Sequence, residues 1–313
     1  MMRRVTLLTC TALLIGLISP VPSGASDLLR ASRASADLAR ASRASADLAP
    51  EGAAAVLVGA GDIAACGSGS RKTAKLLDAI PGTVFTLGDN VYPDGSARNF
   101  RRCYEPTWGR HKDRTRPVIG NHDYRSDFGA PYFDYFGTAA GEPFLGYYSY
   151  DLGAWHVVVV NSNCDFVDCD DQLHWLEADL KASKAACTVA MWHHPLYTSG
   201  SDHGPATWMR PYFQTLYDHG VELNLTGHNH HYERFLPMDA TGDVDLDRGV
   251  LPIVVGSGGA GHYGFGRIRK HSVTHDDDTY GVLKLTLRTG SYDYEFVPVA
   301  GRTYTDGGRG TCH

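Results

Sequence analysis

The stretch Val221–Phe235, VELNLTGHNHHYERF, carries an alternating apolar run into Thr226-Gly227 and then places His228, His230 and His231 within four residues. Imidazoles at such a strand exit are metal ligands, acid–base groups or surface residues, and the rest of the chain chooses between these. Four other apolar runs end in a similar way. AAAVLVGAGD ends in Gly61-Asp62, and TVFTLGD ends in Gly88-Asp89 with Tyr92 three residues on. TRPVIGNHD ends in Gly120-Asn121-His122-Asp123, and CTVAMWHHP ends in His193-His194. A lone Gly-Asp after a strand is usually a turn. Five exits carrying Asp, Asp/Tyr, Asn/His, His and His/His form an oxygen–nitrogen donor set. That set suits a pair of borderline or hard di- or trivalent metals. Two ions about 3.5–4 Å apart clamp a phosphoryl group and acidify water near neutral pH. Glycine before the polar group permits a tight turn and close backbone approach.

Strands and helices must present these exits on one side. Buried strands are expected at AAAVLVGAGD, TVFTLGD, TRPVIGNHD, GYYSYDL, AWHVVVVNS, CTVAMWHH and VELNLTGH. Helices are expected at SRKTAKLLDAI, DDQLHWLEADLKAS and GPATWMRPYFQTLYDHG. LPIVVGSGG, TYGVLKLTLRT and SYDYEFVPV form a strand-rich tail. Strand–helix alternation followed by that tail predicts one α/β domain, with either two sheets or one large mixed sheet. In such folds the ligand site lies beyond the carboxyl ends of the strands.

The 313 residues are 43% hydrophobic and 20% charged, with a net charge of −6, which fits a globular domain and disfavours a nucleic-acid binder. Residues 1–25 have the layout of a secretory signal: Arg3 and Arg4, an apolar Val5–Ile18, then Ser23-Gly24-Ala25. Cleavage near Ala25 removes two arginines and no acid, taking the charge to −8, and predicts a secreted protein. No other run is long enough for a membrane span. Residues 31–40, ASRASADLAR, recur as ASRASADLAP at 41–50, so 26–51 is expected to be a disordered spacer and 52–313 the catalytic domain. Cys10 leaves with the signal. The six cysteines that remain allow 15 pairings. Sequence proximity and a tied-down C-terminus favour Cys66–Cys103, Cys164–Cys169 and Cys187–Cys312.

Asp62, GDNVY (Gly88–Tyr92), GNHD (Gly120–Asp123), His193 and GHNH (Gly227–His230) together resemble the calcineurin-like metallophosphoesterases. The tyrosine of GDNVY makes the set similar to the purple acid phosphatase type, in a short form without the N-terminal β-domain. The resemblance implies two mixed β-sheets packed as a sandwich flanked by helices. It implies that Asp62, Asp89, Tyr92 and His230 hold Fe(III). Asp89 would bridge to Fe, Zn or Mn, held also by Asn121, His193 and His228. His122 would face the substrate phosphate, oriented by Asp123, and His203 would contact phosphate. Where plant-type members have a further histidine, this chain has Asp202, and Ala190 replaces a valine three residues before His193. The implied activity is hydrolysis of small phosphate monoesters by a metal-bound hydroxide. The same core also serves phosphodiesterases and nucleotide hydrolases, and a non-catalytic metal-binding surface protein is a third reading.

Three motifs carry no function. GSGGAG matches a dinucleotide fingerprint but no helix follows. The NLT acceptor at Asn224 lies within a strand, and Asp276–Asp278 is a solvated loop. The aromatic run PYFDYF, Pro131–Phe136, is assigned to core packing before a cleft wall.

Overall fold

Two strands of the second half explain the layering. Trp155–Val159 (β5) and Cys187–Met191 (β6) are buried along their whole length, so alternate side chains must fill two separate interiors. Val157, Val159, Val189 and Met191 enter a large core shared with Leu57, Phe85, Leu283 and Phe296. Val158, Val160, Ala190 and Trp192 enter a second core with Leu176, Phe213 and Leu216. The first core lies between two sheets and the second between a sheet and its helices.

The computed structural model describes residues 54–313, so the expected signal and spacer lie outside the described residues. The described residues form one compact unit. The first sheet takes β1 (Ala55–Ala60), β2 (Thr83–Thr86), β3 (Thr115–Arg116), β11 (Gly281–Arg288), β12 (Ser291–Pro298) and β13 (Asp306–Thr311), in the order β13-β12-β11-β1-β2-β3. The second adds β4 (Tyr148–Leu152), β7 (Leu223–Thr226), β8 (Tyr232–Phe235), β9 (Leu251–Val255) and β10 (Ser272–Asp276) to β5 and β6, in the order β10-β8-β9-β7-β6-β5-β4. β1, β2 and β3 are parallel, as are β5, β6, β7 and β9, while the flanking pairs are antiparallel. Of the open alternatives, the structure has two mixed sheets in a sandwich.

Helices α1 (Ser68–Ala79), α2 (Ala130–Phe136), α3 (Cys169–Ala182) and α4 (Arg210–Asp218) flank them. Asp168 caps α3 by accepting from the amides of Asp170 and Asp171. Pro211 starts α4 and a 3-10 turn, Thr207–Met209, precedes it, so the expected helix there is shorter than its sequence span. β3 is shorter than expected because Pro117 has no amide for the ladder; the Thr86 hydroxyl instead takes the Val118 amide at 3.1 Å. PYFDYF forms α2, with Tyr132, Phe133 and Phe136 buried as core. Among the described residues, no helix is long and apolar enough to cross a membrane.

The three disulfides pair as expected, with sequence separations of 37, 5 and 125. The last ties the C-terminal end, beyond β13, to the start of β6.

His156 on β5 joins β4 to α3. Its Nδ1 lies 2.9 Å from Asp151 and its Nε2 lies 2.7 Å from Asp179. Burial works against the charged ring, but Asp179 and Asp151 outweigh it and raise its pKa. A raised histidine pKa stabilises the fold fully below the unfolded value of about 6.5, and the gain is lost as pH rises through the folded value. His156→Gln should therefore cost about 1–2 kcal/mol at pH 5.5. Urea midpoints measured from pH 5.5 to 9 should show that gap narrowing.

Candidate metal centre

All five exits meet at one end of the sandwich, and the backbone there is unusual. Asp62, Asp89 and His228 take φ values of 59°, 49° and 70°, in the left-handed region that non-glycine residues rarely occupy. The expectation that the preceding glycine makes the turn holds only for Gly88, with φ 84°. Gly120 serves close approach, since a Cβ there would lie 2.1 Å from the Asp89 amide nitrogen. The exits also bond to one another. Asp62 N donates to Gly88 O at 3.1 Å, and Ile63 N to Asp89 O at 3.0 Å. Gly61 N reaches across to Val255 O at the end of β9 at 2.8 Å, joining the two sheets at this edge.

Two groups of donor atoms result. Tyr92 Oη lies 2.9 Å from Asp62 Oδ1, 2.9 Å from Asp89 Oδ2 and 2.9 Å from His230 Nε2. In the second group, His193 Nε2 lies 3.0 Å from Asn121 Oδ1, 3.2 Å from His228 Nδ1 and 3.4 Å from Asp89 Oδ1. Asp89 gives one oxygen to each group. Asp62 Oδ2 turns the other way and accepts the His228 amide at 2.8 Å.

Hydrogen-bond accounting shows what these groups fit. A phenol has one proton, so Tyr92 can donate to only one of the two carboxylates beside it. His230 Nδ1 faces the Gly261 carbonyl, and His193 Nδ1 faces the Leu87 carbonyl at 2.7 Å. The proton assigned to each Nδ1 by those carbonyls leaves each Nε2 lone pair aimed at other acceptors. Acceptors facing acceptors call for a cation. Without one a proton takes its place at His193: burial alone would lower its pKa, but Asp89 raises it to about 9. Burial, then the charges of Asp62 and Asp89, push the Tyr92 phenol well above its ordinary value. The residues fit a pair of metal ions sharing Asp89.

The other expected residues fall around this set. The His122 ring packs 4.4 Å from that of Tyr92, with Nε2 3.9 Å from Asp89 Oδ2. Asp123 does not have the expected role of orienting it, because the Pro93 carbonyl accepts from His122 Nδ1 at 2.7 Å. Buried Asp123 instead accepts from the Asn90 amide at 3.1 Å, the Asn90 side chain at 2.9 Å and the Gly120 amide at 2.9 Å. It pins the Asp89 and Asn121 exits together, and burial followed by the Asp89 charge raises its pKa to about 7. The His203 ring stacks on His228 at 4.2 Å, on a loop held by Ser199–Glu233 bonds of 2.6 and 2.7 Å. His194 packs 4.4 Å from His228, while His231 turns toward Glu233, 3.5 Å away.

Sequence reading missed Tyr263, stacked on His230 at 3.8 Å, and the carbonyls of Leu87, Pro93 and Gly261. Carbonyls leave no sequence signal. Tyr263 lies in HYGFGR, a glycine-spaced stretch with no strand exit to mark it.

This donor set at the strand ends of a two-sheet sandwich defines a two-metal phosphoesterase scaffold. The profile described as calcineurin-like phosphoesterase matches residues 26–232, and the chain belongs to that family. It is similar to purple acid phosphatase 15 of Arabidopsis thaliana, 26% identical over 245 residues, covering 65% of this chain and 43% of that protein. It is also similar to purple acid phosphatase 21 of the same plant, 36% identical over 97 residues, covering 29% and 22% of the two chains. The chain spans less than half the length of these relatives. Among solved structures, purple acid phosphatase PPD1 from yellow lupin (Lupinus luteus) seeds superposes with a TM-score of 0.63 at 19% identity, covering 82% of this chain and 53% of the other. GAP50, described as the anchor in the inner membrane complex of Plasmodium, superposes with a TM-score of 0.64 at 16% identity, covering 82% and 88%.

Asp123→Ala orphans buried amides and should lower the unfolding free energy by about 2–4 kcal/mol. His122→Ala removes a partly exposed ring and should cost less than about 1 kcal/mol. Chemical denaturation of the two variants checks the contrast.

Proposed function

We propose that this protein is an exported dinuclear-metal phosphatase that hydrolyses small phosphate monoesters. The observation that carries the reading is the pair of lone-pair clusters sharing the carboxylate of Asp89. Asp62, Asp89, Tyr92 and His230 would hold one ion; Asp89, Asn121, His193 and His228 would hold the other. Such ions, when bound, polarise a phosphate ester and lower the pKa of water. The phenol of Tyr92, pushed up by burial and two carboxylates, becomes a phenolate only beside a cation of high charge. That supports Fe(III) in the first position, with Fe, Zn or Mn in the second.

The chain's own groups then divide the work. His122 Nδ1 is committed to the Pro93 carbonyl, so the nitrogen left to pass a proton is Nε2, 3.9 Å from Asp89 Oδ2. As an imidazolium it donates to a phosphate oxygen or to the departing alkoxide. His203, stacked on His228, flanks the same opening. Three disulfides support folding in an oxidising compartment, in keeping with export through a signal at residues 1–25 and a spacer at 26–51.

Metal analysis and the visible spectrum of the purified protein, with assays of an aryl monoester and a diester, test this. Two metals per chain, a purple absorption lost in Tyr92→Phe, and faster monoester turnover are expected. Asp89→Ala should lose metal and activity together. His122→Ala should keep its metal while kcat falls about 10²–10⁴-fold. A colourless protein containing only zinc would overturn Fe(III), and a diester preference would overturn the monoester assignment.

A further inference from the structure

Beside the second donor group opens a cavity of about 420 Å³, lined by Asn121, His194, Phe166 and Trp208 among others. Asn121 belongs to both, its Oδ1 lying 3.0 Å from His193 Nε2. A row of rings links the centre to this cavity. His228 packs 4.4 Å from His194, which packs 5.6 Å from Trp208.

Phe166 and Trp208 are 44% and 50% exposed, yet both are fixed in place. The Phe166 ring stacks on Tyr124 at 4.1 Å and 7°, and the Tyr124 hydroxyl accepts from the Asn161 amide at 2.8 Å. The Cys164–Cys169 disulfide closes the short loop that carries Phe166. Trp208 donates its indole N–H to the Ser162 carbonyl at 3.1 Å. Exposed aromatic rings held rigid lose little entropy when a ligand docks on them. Single exposed rings are ordinary, but two pinned rings on one cavity beside a phosphate-binding centre form a stacking platform. Asp165 on the same wall disfavours a leaving group that carries further negative charge.

We propose that this cavity holds the leaving group, and that it selects monoesters whose alcohol carries a planar, uncharged aromatic ring over those of alkyl alcohols. This rests on the hydrolase reading above. In the reaction water adds to phosphorus as the ester P–O bond breaks. The departing alkoxide takes a proton, and the aromatic alcohol is left between Phe166 and Trp208. Aryl and nucleoside esters share the required chemistry.

The test measures kcat/KM of the metal-loaded protein for phenyl phosphate, adenosine 5′-monophosphate and glycerol 1-phosphate. Phe166→Ala and Trp208→Ala should each lower the ratio of aromatic to glycerol ester turnover by about five- to tenfold, the scale of one aromatic contact. Trp208→Phe should restore most of it. Phenylphosphonate should bind more tightly than methylphosphonate and quench tryptophan fluorescence, with that preference lost in both alanine variants. The aryl and adenosine arms tell which ring the cavity takes. Equal losses on all three esters, or no preference for the phenyl phosphonate, would overturn the proposal and leave the hydrolase reading intact. No turnover of any ester would overturn both.

Discussion

The molecule is organised around acceptors that face acceptors. A buried carboxylate, Asp89, sends one oxygen to Tyr92, which Asp62 and His230 also touch, and the other toward His193. Such a cluster is unfavourable in a protein interior unless positive charge joins it. Protons cannot satisfy all of it: His122 N donates to Asp89 Oδ1 at 2.8 Å, but two imidazoles have already committed their Nδ1 protons to the Leu87 and Gly261 carbonyls. Two metal ions can. The arrangement is thus defined as much by where its protons are tied up as by which residues surround it.

Holding that cluster requires strain, and the fold supplies the constraint. Three residues of the cluster, Asp62, Asp89 and His228, sit at positive φ, a conformation that costs on the order of 1–3 kcal/mol each and persists only when its surroundings dictate it. The surroundings here are the parallel cores of both sheets, joined end to end by bonds such as Gly61 N to Val255 O. Asp123 adds a buried carboxylate that reads the backbone of two exits at once. Its place is close to the donors but its action is on the turns, which separates positioning from binding in adjacent residues of one GNHD motif.

The two-sheet sandwich is shared by structures whose descriptions differ. One superposed structure is a purple acid phosphatase and another is described as an anchor in the inner membrane complex of Plasmodium, at nearly equal TM-scores of 0.63 and 0.64. A fold of this kind can carry many functions, so activity has to be argued from the donor set. The same division applies to the proposed activity: the donor set is the argument for phosphate chemistry, and the rings of Phe166 and Trp208 are the argument for ester choice.

Much was legible in the chain alone, because each buried strand is a continuous apolar run with its polar group at its end. The five exits and the central strands follow from such local patterns, and sequence proximity with a tied-down C-terminus favours the three cysteine pairings. β10 and β13 were not legible: they are polar or glycine-rich strands at the outer edges of their sheets, with no full apolar face to bury. Nor could β8 be seen, since YERF continues directly from the histidine motif. The role of Asp123 was misread because neighbours in sequence need not touch in space, and the Pro93 carbonyl reaches His122 first. Sequence by itself determined which donors exist and that strand ends carry them, since residue type and period are local properties. Only the tertiary structure decided which nitrogen of each histidine is free, what Asp123 holds, and which rings wall the opening, because these depend on backbone carbonyls and on the meeting of two sheets.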